Sequence, residues 1–362
     1  MAYILLCIFV SVLFSFWLLP NIISISLKKN LFDGTNERKI HQGVALRLGG
    51  LSFVPAIALS VALTYGVGLL EGNENILLLD LRHASFGVCS LILIYVCGIV
   101  DDLMTVGYRK KLALQILSVA MLLLSGVWVT DFGGILGMEE VPDLAGLLLT
   151  ALWVLAVING INFIDGINGL ASGISVVGFA VAGALLYAEE GLTTLVLLSV
   201  AAAGTAFSFF CFNMFGAERY RSQIFMGDSG SQSLGLLLAY CTINLVTADR
   251  GAGGNVDPVV LMAAVSIVLL PLLDEVTVVC LRLWKRVSPF QADMNHIHHR
   301  LMRLGFPANK VLVFLLVAHI YIILFNVLLV NVVDVNIVLL ADAAQWLLAQ
   351  WFIAVRAKYS NK

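Results

Sequence analysis

The chain has 362 residues and a formal net charge of −2, with 60% hydrophobic and only 12% charged residues, and its mean hydropathy is +0.98. Soluble domains are about half apolar and about a quarter charged, so the composition excludes an ordinary soluble domain and indicates an integral membrane protein. We expect membrane lipids, and no nucleic acid, among its partners.

Apolar runs of about 20 residues, long enough to cross the hydrocarbon core of a bilayer, recur along the whole chain. Such runs are predicted near residues 3–23, 49–70, 84–100, 112–130, 143–160, 170–188, 191–212, 230–247, 256–280, 309–331 and 335–355. The sequence therefore predicts an all-α polytopic membrane protein of about 10–11 transmembrane helices. No separate soluble domain is visible, so residues 1–362 are expected to form a single domain.

The basic residues predict the orientation. When the connections are assigned alternately to two sides, all of the 21 lysines and arginines except Arg82 and Arg250 fall on one side. The positive-inside rule makes that side cytoplasmic and places the N-terminus outside. Several carboxylates on the same side lie beside helix ends and glycines, where a charge is costly unless it is paired or bound to a metal.

The first polar motif is "GIVDDL", which ends the third apolar run with Asp101 and Asp102. Acids at a helix C-terminus oppose the helix dipole, so a compensating charge is expected. Arg109, Lys110 or Lys111 could supply that charge, and so could a divalent cation. The alternative is a solvated helix end.

The second motif is "NGINFIDGINGLASG", between the fifth and sixth runs. Asn159, Asn162 and Asp165 follow one another at intervals of three, so they would line one face of a helix. Gly166 and Gly169 would let the backbone turn and approach a ligand. Amide and carboxylate groups suit the edges of a nucleobase or sugar, and a polar helix cap is the alternative.

The third motif is "FMGDSGSQSLG", which leads into the eighth run. Asp228 lies between two glycines and is followed by Ser229 and Ser231 at a predicted helix start. A carboxylate, hydroxyls and free backbone N–H groups together fit magnesium and phosphate. An N-cap aspartate is the commoner use of such a residue.

The fourth motif is "SPFQADMNHIHHRL", in which His296, His298, His299 and Arg300 crowd together. Three histidines invite a zinc interpretation. However, the acids elsewhere are hard oxygen ligands that magnesium prefers, so a cluster that binds a pyrophosphate fits better.

In this order the four motifs resemble those of the polyprenyl-phosphate N-acetylhexosamine-1-phosphate transferases, which include the WecA and TagO types and the peptidoglycan translocase MraY. "ERKIHQGVALRLGG" also resembles the family's first loop and carries Lys39 and Arg47. Asn168 replaces the family's second aspartate in its DGxDG segment. The His-x-His-His form resembles the WecA/TagO branch and argues against an MraY-like transfer of phospho-MurNAc-pentapeptide.

The resemblance implies transfer of N-acetylglucosamine 1-phosphate, or a related N-acetylhexosamine 1-phosphate, from the UDP-sugar to undecaprenyl phosphate, with release of UMP. It implies Mg²⁺, or Mn²⁺, as cofactor, and initiation of a lipid-linked cell-surface polysaccharide such as O-antigen. It places the protein in the bacterial cytoplasmic membrane, with the active site facing the cytoplasm. A homodimer is a candidate assembly.

The resemblance also implies roles for single residues. The catalytic residues would be Asp101, Asp102, Asp165 and Asp228, of which Asp228 and Asp102 would bind the metal. The substrate-binding residues would be Asn159, Asn162 and Asn168 for the uridine, His296, His298, His299 and Arg300 for the pyrophosphate or sugar, and Lys39 and Arg47 for the lipid phosphate.

A membrane transporter is the rival class, because acids within membrane segments often mark ion pathways. Transporter sites lie near the bilayer midplane, whereas all four motifs are predicted at one surface. An inactive assembly scaffold would rest on Asn168 alone. Asp342, within the last apolar run, has no explanation from the sequence.

Overall fold

The computed structural model describes residues 1–29, 45–72, 81–191, 193–220, 223–248, 256–289 and 293–360. It confirms the all-α class. The helices are α1 (Ala2–Lys28), α2 (Phe53–Leu70), α3 (Leu81–Met104), α4 (Tyr108–Leu124), α5 (Asp143–Ile164), α6 (Leu170–Glu190), α7 (Thr194–Tyr220), α8 (Gly227–Ala248), α9 (Pro258–Trp284), α10 (Ile297–Arg303), α11 (Ala308–Leu329) and α12 (Val335–Ser360).

Ten helices in the described part of the chain are long and apolar enough to cross a membrane, which agrees with the predicted number. The remaining predicted run, near residues 112–130, corresponds to α4, which has only 17 residues. This helix returns along α3, because the Arg82 side chain at the start of α3 donates to the carbonyl of Leu124 at the end of α4 (3.0 Å). Helices α3 and α4 therefore form an antiparallel pair that extends from one end of the bundle to the other.

Helix α8 is the centre of the bundle and packs against α3, α5, α6 and α9. Its residues from Ser229 to Val246 are almost all buried. Small residues let its neighbours approach closely: a Cβ on Gly98 of α3 would meet the backbone of Ser229, and one on Gly235 would lie 2.7 Å from Ile158 Cα of α5. Close backbone contact through small residues is typical of membrane helix packing, where apolar burial gives no driving force.

Two small sheets complete the fold. The two-residue strands β1 (Ala45–Leu46) and β4 (Gln223–Ile224) pair in parallel, and they join the segment before α2 to the segment before α8. The strands β2 (Asp131–Ile135) and β3 (Met138–Glu140) pair antiparallel between α4 and α5. The hydropathy pattern predicted neither sheet.

A polar cluster lies at the opposite end of the bundle from the four motifs. The Asn326 amide of α11 donates to Ser266 Oγ of α9 (2.9 Å) and to Asp342 Oδ2 of α12 (2.8 Å), and all three side chains are buried. The cluster gives Asp342 a partner and attaches α12 to the bundle.

Candidate active site

The first two aspartates lie at the end of α3, directly beside the start of α8. Asp102 Oδ1 accepts from the backbone N–H of Asp228 (2.7 Å), and Asp102 Oδ2 accepts from the N–H and hydroxyl of Ser229 (3.0 and 2.7 Å). A carboxylate at a helix N-terminus satisfies free N–H groups and complements the dipole. Asp102 thus holds the start of α8, and Asp228 with it.

Gly227 makes this approach possible. Its φ is +71°, and a Cβ there would lie 2.6 Å from both Asp102 carboxylate oxygens and would overlap the carbonyl oxygen of Arg47. Only a glycine fits both the left-handed backbone and the space. The backbone of Arg47 therefore borders the start of α8, while the binding of the lipid phosphate by Arg47 stays a prediction; Lys39 lies outside the described residues.

Lys111, at the start of α4, supplies the compensating charge. Its ammonium lies 2.7 Å from Asp228 Oδ2 and 3.2 Å from Asp101 Oδ2. Asp101 Oδ1 also accepts from the N–H of Val106, in the turn before α4. The sequence offered three basic candidates, and the structure selects Lys111; Arg109 is exposed and donates to Tyr108 instead.

The amides of α5 reach the same place. Asn162 Nδ2 donates to Asp228 Oδ1 and to Ser231 Oγ (2.8 Å). Asn159, one turn further from the site end, exchanges hydrogen bonds with Gln115 of α4 (3.2 and 3.3 Å). The structure therefore brings Asn162 to the aspartates and places Asn159 in contact with another helix, while its role in uridine binding stays a prediction.

The turn after α5 carries the rest of the second motif. Asp165 ends α5, and burial raises its pKa to about 7, with the charges of Asp228 and Asp102 adding to the effect. The turn is fixed by Asn213, whose Oδ1 accepts from the N–H of Gly169 (2.6 Å). In the described part of the chain no donor reaches the buried Oδ1 of Asn168, which leaves that atom for a ligand.

The histidine motif is attached to α9 through acid pairs. His296 Nδ1 lies 2.8 Å from Asp274 Oδ2, and the other oxygen of Asp274 accepts from the N–H of Ile297 (2.8 Å). Arg282 binds both carboxylate oxygens of Asp293 (3.1 and 3.2 Å). Burial would raise the pKa of Asp293, but the bonds from Arg282 and Asn295 hold it at about 2.

His298 meets the second motif directly. A Cβ on Gly166 would overlap its imidazole, and the side chain is fully buried. Burial lowers the pKa of His298 well below 6.5, with the charges of His299 and His296 adding to the effect, and burial also lowers the pKa of His299. Burial of both rings therefore favours their neutral forms, which can offer hydrogen bonds.

Arg300 lies on the far side of α10, where its guanidinium donates to Gln350 of α12. The predicted contact of Arg300 with a pyrophosphate is not tested by this geometry. His296 packs against Phe163 of α5 in a tilted arrangement, with ring centroids 5.4 Å apart, so the histidine motif and the second motif share a boundary.

A magnesium ion fits the carboxylates at the start of α8. Among the described residues, no three Asp, Glu, His or Cys side chains are grouped so that they alone could hold a metal. Mg²⁺ is usually held by one or two carboxylates together with substrate phosphates. Asp228 and Asp101 can provide the carboxylates. Asp102 accepts three hydrogen bonds. Both oxygens of Asp228 and of Asp101 also have partners, so these contacts do not rank the predicted ligands Asp228 and Asp102.

Two site neighbours escaped the sequence analysis. Gln115 and Gln232 are buried amides in otherwise apolar helices. Each stands four residues after a site residue, Lys111 and Asp228 respectively, and therefore on the same helix face. That spacing was the available signal.

A family model and several known proteins are similar to this chain. A family model described as glycosyl transferase family 4 matches residues 84–246. The "Undecaprenyl-phosphate alpha-N-acetylglucosaminyl 1-phosphate transferase" of Yersinia pestis is 31% identical over 296 residues, 81% of this chain and 75% of that protein. The protein of the same name from Escherichia coli (strain K12) is 30% identical over 299 residues, with the same coverage. A Bacillus subtilis (strain 168) protein named "Probable undecaprenyl-phosphate N-acetylglucosaminyl 1-phosphate transferase" is 29% identical over 305 residues, 83% of this chain and 78% of that protein.

Proposed function

This chain belongs to glycosyl transferase family 4, with the undecaprenyl-phosphate N-acetylglucosaminyl 1-phosphate transferases, and we propose that it transfers N-acetylglucosamine 1-phosphate from UDP-GlcNAc to undecaprenyl phosphate. An oxygen of the lipid phosphate attacks the phosphorus that carries the sugar. The new P–O bond forms as the bond to the uridine phosphate breaks, and UMP leaves with those electrons. The product is a lipid-linked sugar diphosphate that can initiate a cell-surface polysaccharide.

The observation that carries the proposal is the convergence of Asp101, Lys111, Asn162 and Asp228 at one end of the bundle. These residues come from four helices and from three separate motifs. Phosphoryl transfer needs positioning and charge stabilisation more than covalent chemistry. A mixed cluster of carboxylates, an ammonium and an amide supplies both.

Asp228 and Asp101 would hold Mg²⁺, or Mn²⁺ in its place. When bound, the ion neutralises pyrophosphate charge that would otherwise repel the lipid phosphate. Lys111 keeps the two carboxylates together and can donate to a phosphate oxygen. The second pKa of a phosphate is near 6, so the acceptor is already mostly ionised at pH 7, and we propose direct attack without a covalent aspartyl intermediate.

The donor would extend from this cluster towards the turn after α5. Asp165 and Asn168 offer the uridine a carboxyl group with a pKa of about 7 and a buried carbonyl oxygen without a donor in the described part of the chain. His298 and His299 would contact the sugar or pyrophosphate as neutral hydrogen-bonding groups. Arg47 and Lys39 would provide positive charge for the lipid phosphate, together with Lys111.

We place the site at the cytoplasmic face of the bacterial inner membrane. The motifs share one end of the bundle, and the basic residues of that end obey the positive-inside rule. The acceptor's hydrocarbon tail would stay in the bilayer while its phosphate reaches the helix ends, where a water-soluble UDP-sugar can meet it.

The test is UMP release from UDP-GlcNAc by the purified protein in the presence of undecaprenyl phosphate and Mg²⁺. Asp228→Asn should reduce the rate by at least about 1,000-fold, whereas Glu139→Ala, in the exposed part of β3, should match the wild-type rate. A panel of UDP-N-acetylsugars identifies the sugar. No UMP from any of them, or full activity of Asp228→Asn, would refute the proposal.

A further inference from the structure

A layer of three amide side chains lies directly beneath the candidate site. Gln115 of α4 is its centre: Gln115 Nε2 donates to Asn159 Oδ1 of α5 (3.2 Å) and to Gln232 Oε1 of α8 (3.0 Å). Asn159 Nδ2 donates back to Gln115 Oε1 (3.3 Å) and to the carbonyl of Leu155 (2.8 Å). Gln115 and Gln232 are 1% and 0% exposed. We call these three residues the amide layer.

Each member of the amide layer stands one helical turn behind a residue of the site. Gln115 follows Lys111 by four residues, and Asn159 precedes Asn162 by three. Gln232 follows Asp228 by four. Helices α4 and α8 begin at the site end and α5 ends there, so all three amides are displaced in the same direction, by about 4–6 Å at 1.5 Å per residue.

The site residues Lys111, Asn162 and Asp228 form an upper layer, and the amide layer lies below them. The two layers therefore connect the same three helices, α4, α5 and α8. In the upper layer Lys111 and Asn162 both bind Asp228, and in the lower layer Gln115 and Asn159 bind one another beside Gln232. From this correspondence we propose that the amide layer is a positioning device for the reaction, which sets the distances among Lys111, Asn162 and Asp228. The proposal rests on the proposed function of that site.

Hydrogen bonds are suited to this task because they are directional. Apolar side chains between helices in a membrane leave small shifts along the axis nearly free, since lipid is as apolar as the interface. A buried amide that loses its partner pays its full desolvation cost. A shift of α4 would break two or three bonds of the amide layer at once, so Lys111 is held against Asp228 before any substrate binds.

The same helix provides a matched control. Ser118 of α4 and Ser90 of α3 are fully buried, and each hydroxyl donates to the other residue's carbonyl (2.9 and 2.7 Å). This pair also ties α4 to a neighbour, but it lies beyond the amide layer, and in the described part of the chain its hydrogen bonds involve no site residue. Ser118→Ala therefore removes buried hydrogen bonds from α4 without touching the amide layer.

The experiment compares Gln115→Met with Ser118→Ala in the purified, full-length protein. Methionine keeps the length of glutamine and removes its hydrogen bonds. For Gln115→Met we expect the Mg²⁺ concentration for half-maximal UMP release to rise about tenfold. A smaller folded fraction lowers the maximal rate and leaves that concentration unchanged, so the readout separates positioning from stability.

A second measurement needs no turnover. Free Mn²⁺ is followed by electron paramagnetic resonance with UDP-GlcNAc present and no lipid acceptor, and Mn²⁺ binding to Gln115→Met should weaken by a similar factor. Gln232→Met removes only one of the bonds, so it should give about a threefold change and remains informative if Gln115→Met does not fold. The double variant should be no weaker than Gln115→Met alone, because the Gln115–Gln232 bond can be lost only once.

Wild-type values for Gln115→Met and Gln232→Met in both measurements would overturn the proposal. Equal shifts in Ser118→Ala would also overturn it, because they would show that any weakening of α4 has this effect. A wild-type protein that releases no UMP would refute the proposed function instead, and the Mn²⁺ comparison would still test the amide layer.

Discussion

Replacing Lys111 by methionine tests the charge balance at the centre of the candidate site. Two opposite unit charges 2.7–3.2 Å apart attract by roughly 5–6 kcal/mol at an effective dielectric constant of about 20, and Lys111 makes two such contacts. Removing one partner of a buried ion pair costs about 3–5 kcal/mol. The side chains of Lys111, Asp101 and Asp228 are 13–22% exposed, so we expect a loss of about 3 kcal/mol of folding free energy.

The assay is thermal unfolding of the purified protein in the absence of Mg²⁺. Lys111→Met should melt about 5 °C or more below the wild type, since the two carboxylates then repel each other.

The matched control is Lys110→Met, which removes the same charge from the adjacent exposed position and should behave like the wild type. The electrostatic reasoning is refuted if Lys111→Met melts with the wild type.

Three further predictions concern the turn after α5, the polar cluster at the opposite end of the bundle, and the Asp293 ion pair. Gly166→Ala inserts a methyl group into the space of the His298 ring, and we expect at least about a tenfold loss of UMP release. Asn326→Leu leaves the buried Asp342 carboxylate without its amide donor, which should cost about 2 kcal/mol of stability with an unchanged rate per folded molecule. Since the pKa of Asp293 falls from 3.8 to about 2 on folding, its pairing stabilises the protein above about pH 4 and is lost as pH falls through about 2. Asp293→Asn should therefore lower the melting temperature at pH 7, by a margin that shrinks towards pH 2.

The glycine prediction has a close control. Gly107 lies before α4 with a φ of −63°, and a Cβ there would have no neighbour within 4 Å among the described residues. Gly107→Ala should therefore keep the wild-type rate. Equal activity of both glycine variants would contradict the packing of His298 against the turn after α5.

The arrangement of helices was predictable because lipid imposes a simple constraint. A segment that crosses the bilayer must be apolar for about 20 residues and must satisfy its own backbone hydrogen bonds. Hydropathy therefore indicated every long helix, and it also indicated the shorter α4. The β2–β3 hairpin was not predictable in this way. Its backbone has left-handed conformations at Gly133 and Gly134 within β2 and at Gly137 in the turn, and hydropathy does not report such conformations.

The sequence predicted which residues come together better than it predicted which of them contact one another. Three motifs at one predicted surface indicated that Asp101 and Asp228 would meet, and they do. The sequence could not distinguish Lys111 from its basic neighbours, because the choice depends on which face of α4 points towards α8. Nor could it show that Asp102 caps α8, since that contact joins residues 126 positions apart.

The two walls of the site are built differently. On the α3–α8 side, backbone lies against backbone where Gly98 meets Ser229, so no side chain separates the two helices there. The segment that carries His296 and His298 is attached to α9 by the His296–Asp274 hydrogen bond and the Arg282–Asp293 ion pair. These contacts can break one at a time and re-form. We therefore expect UMP to leave after a displacement of the segment that carries His296 and His298. A compound that fixed this segment to α9 would keep UMP bound without occupying the UMP-binding site.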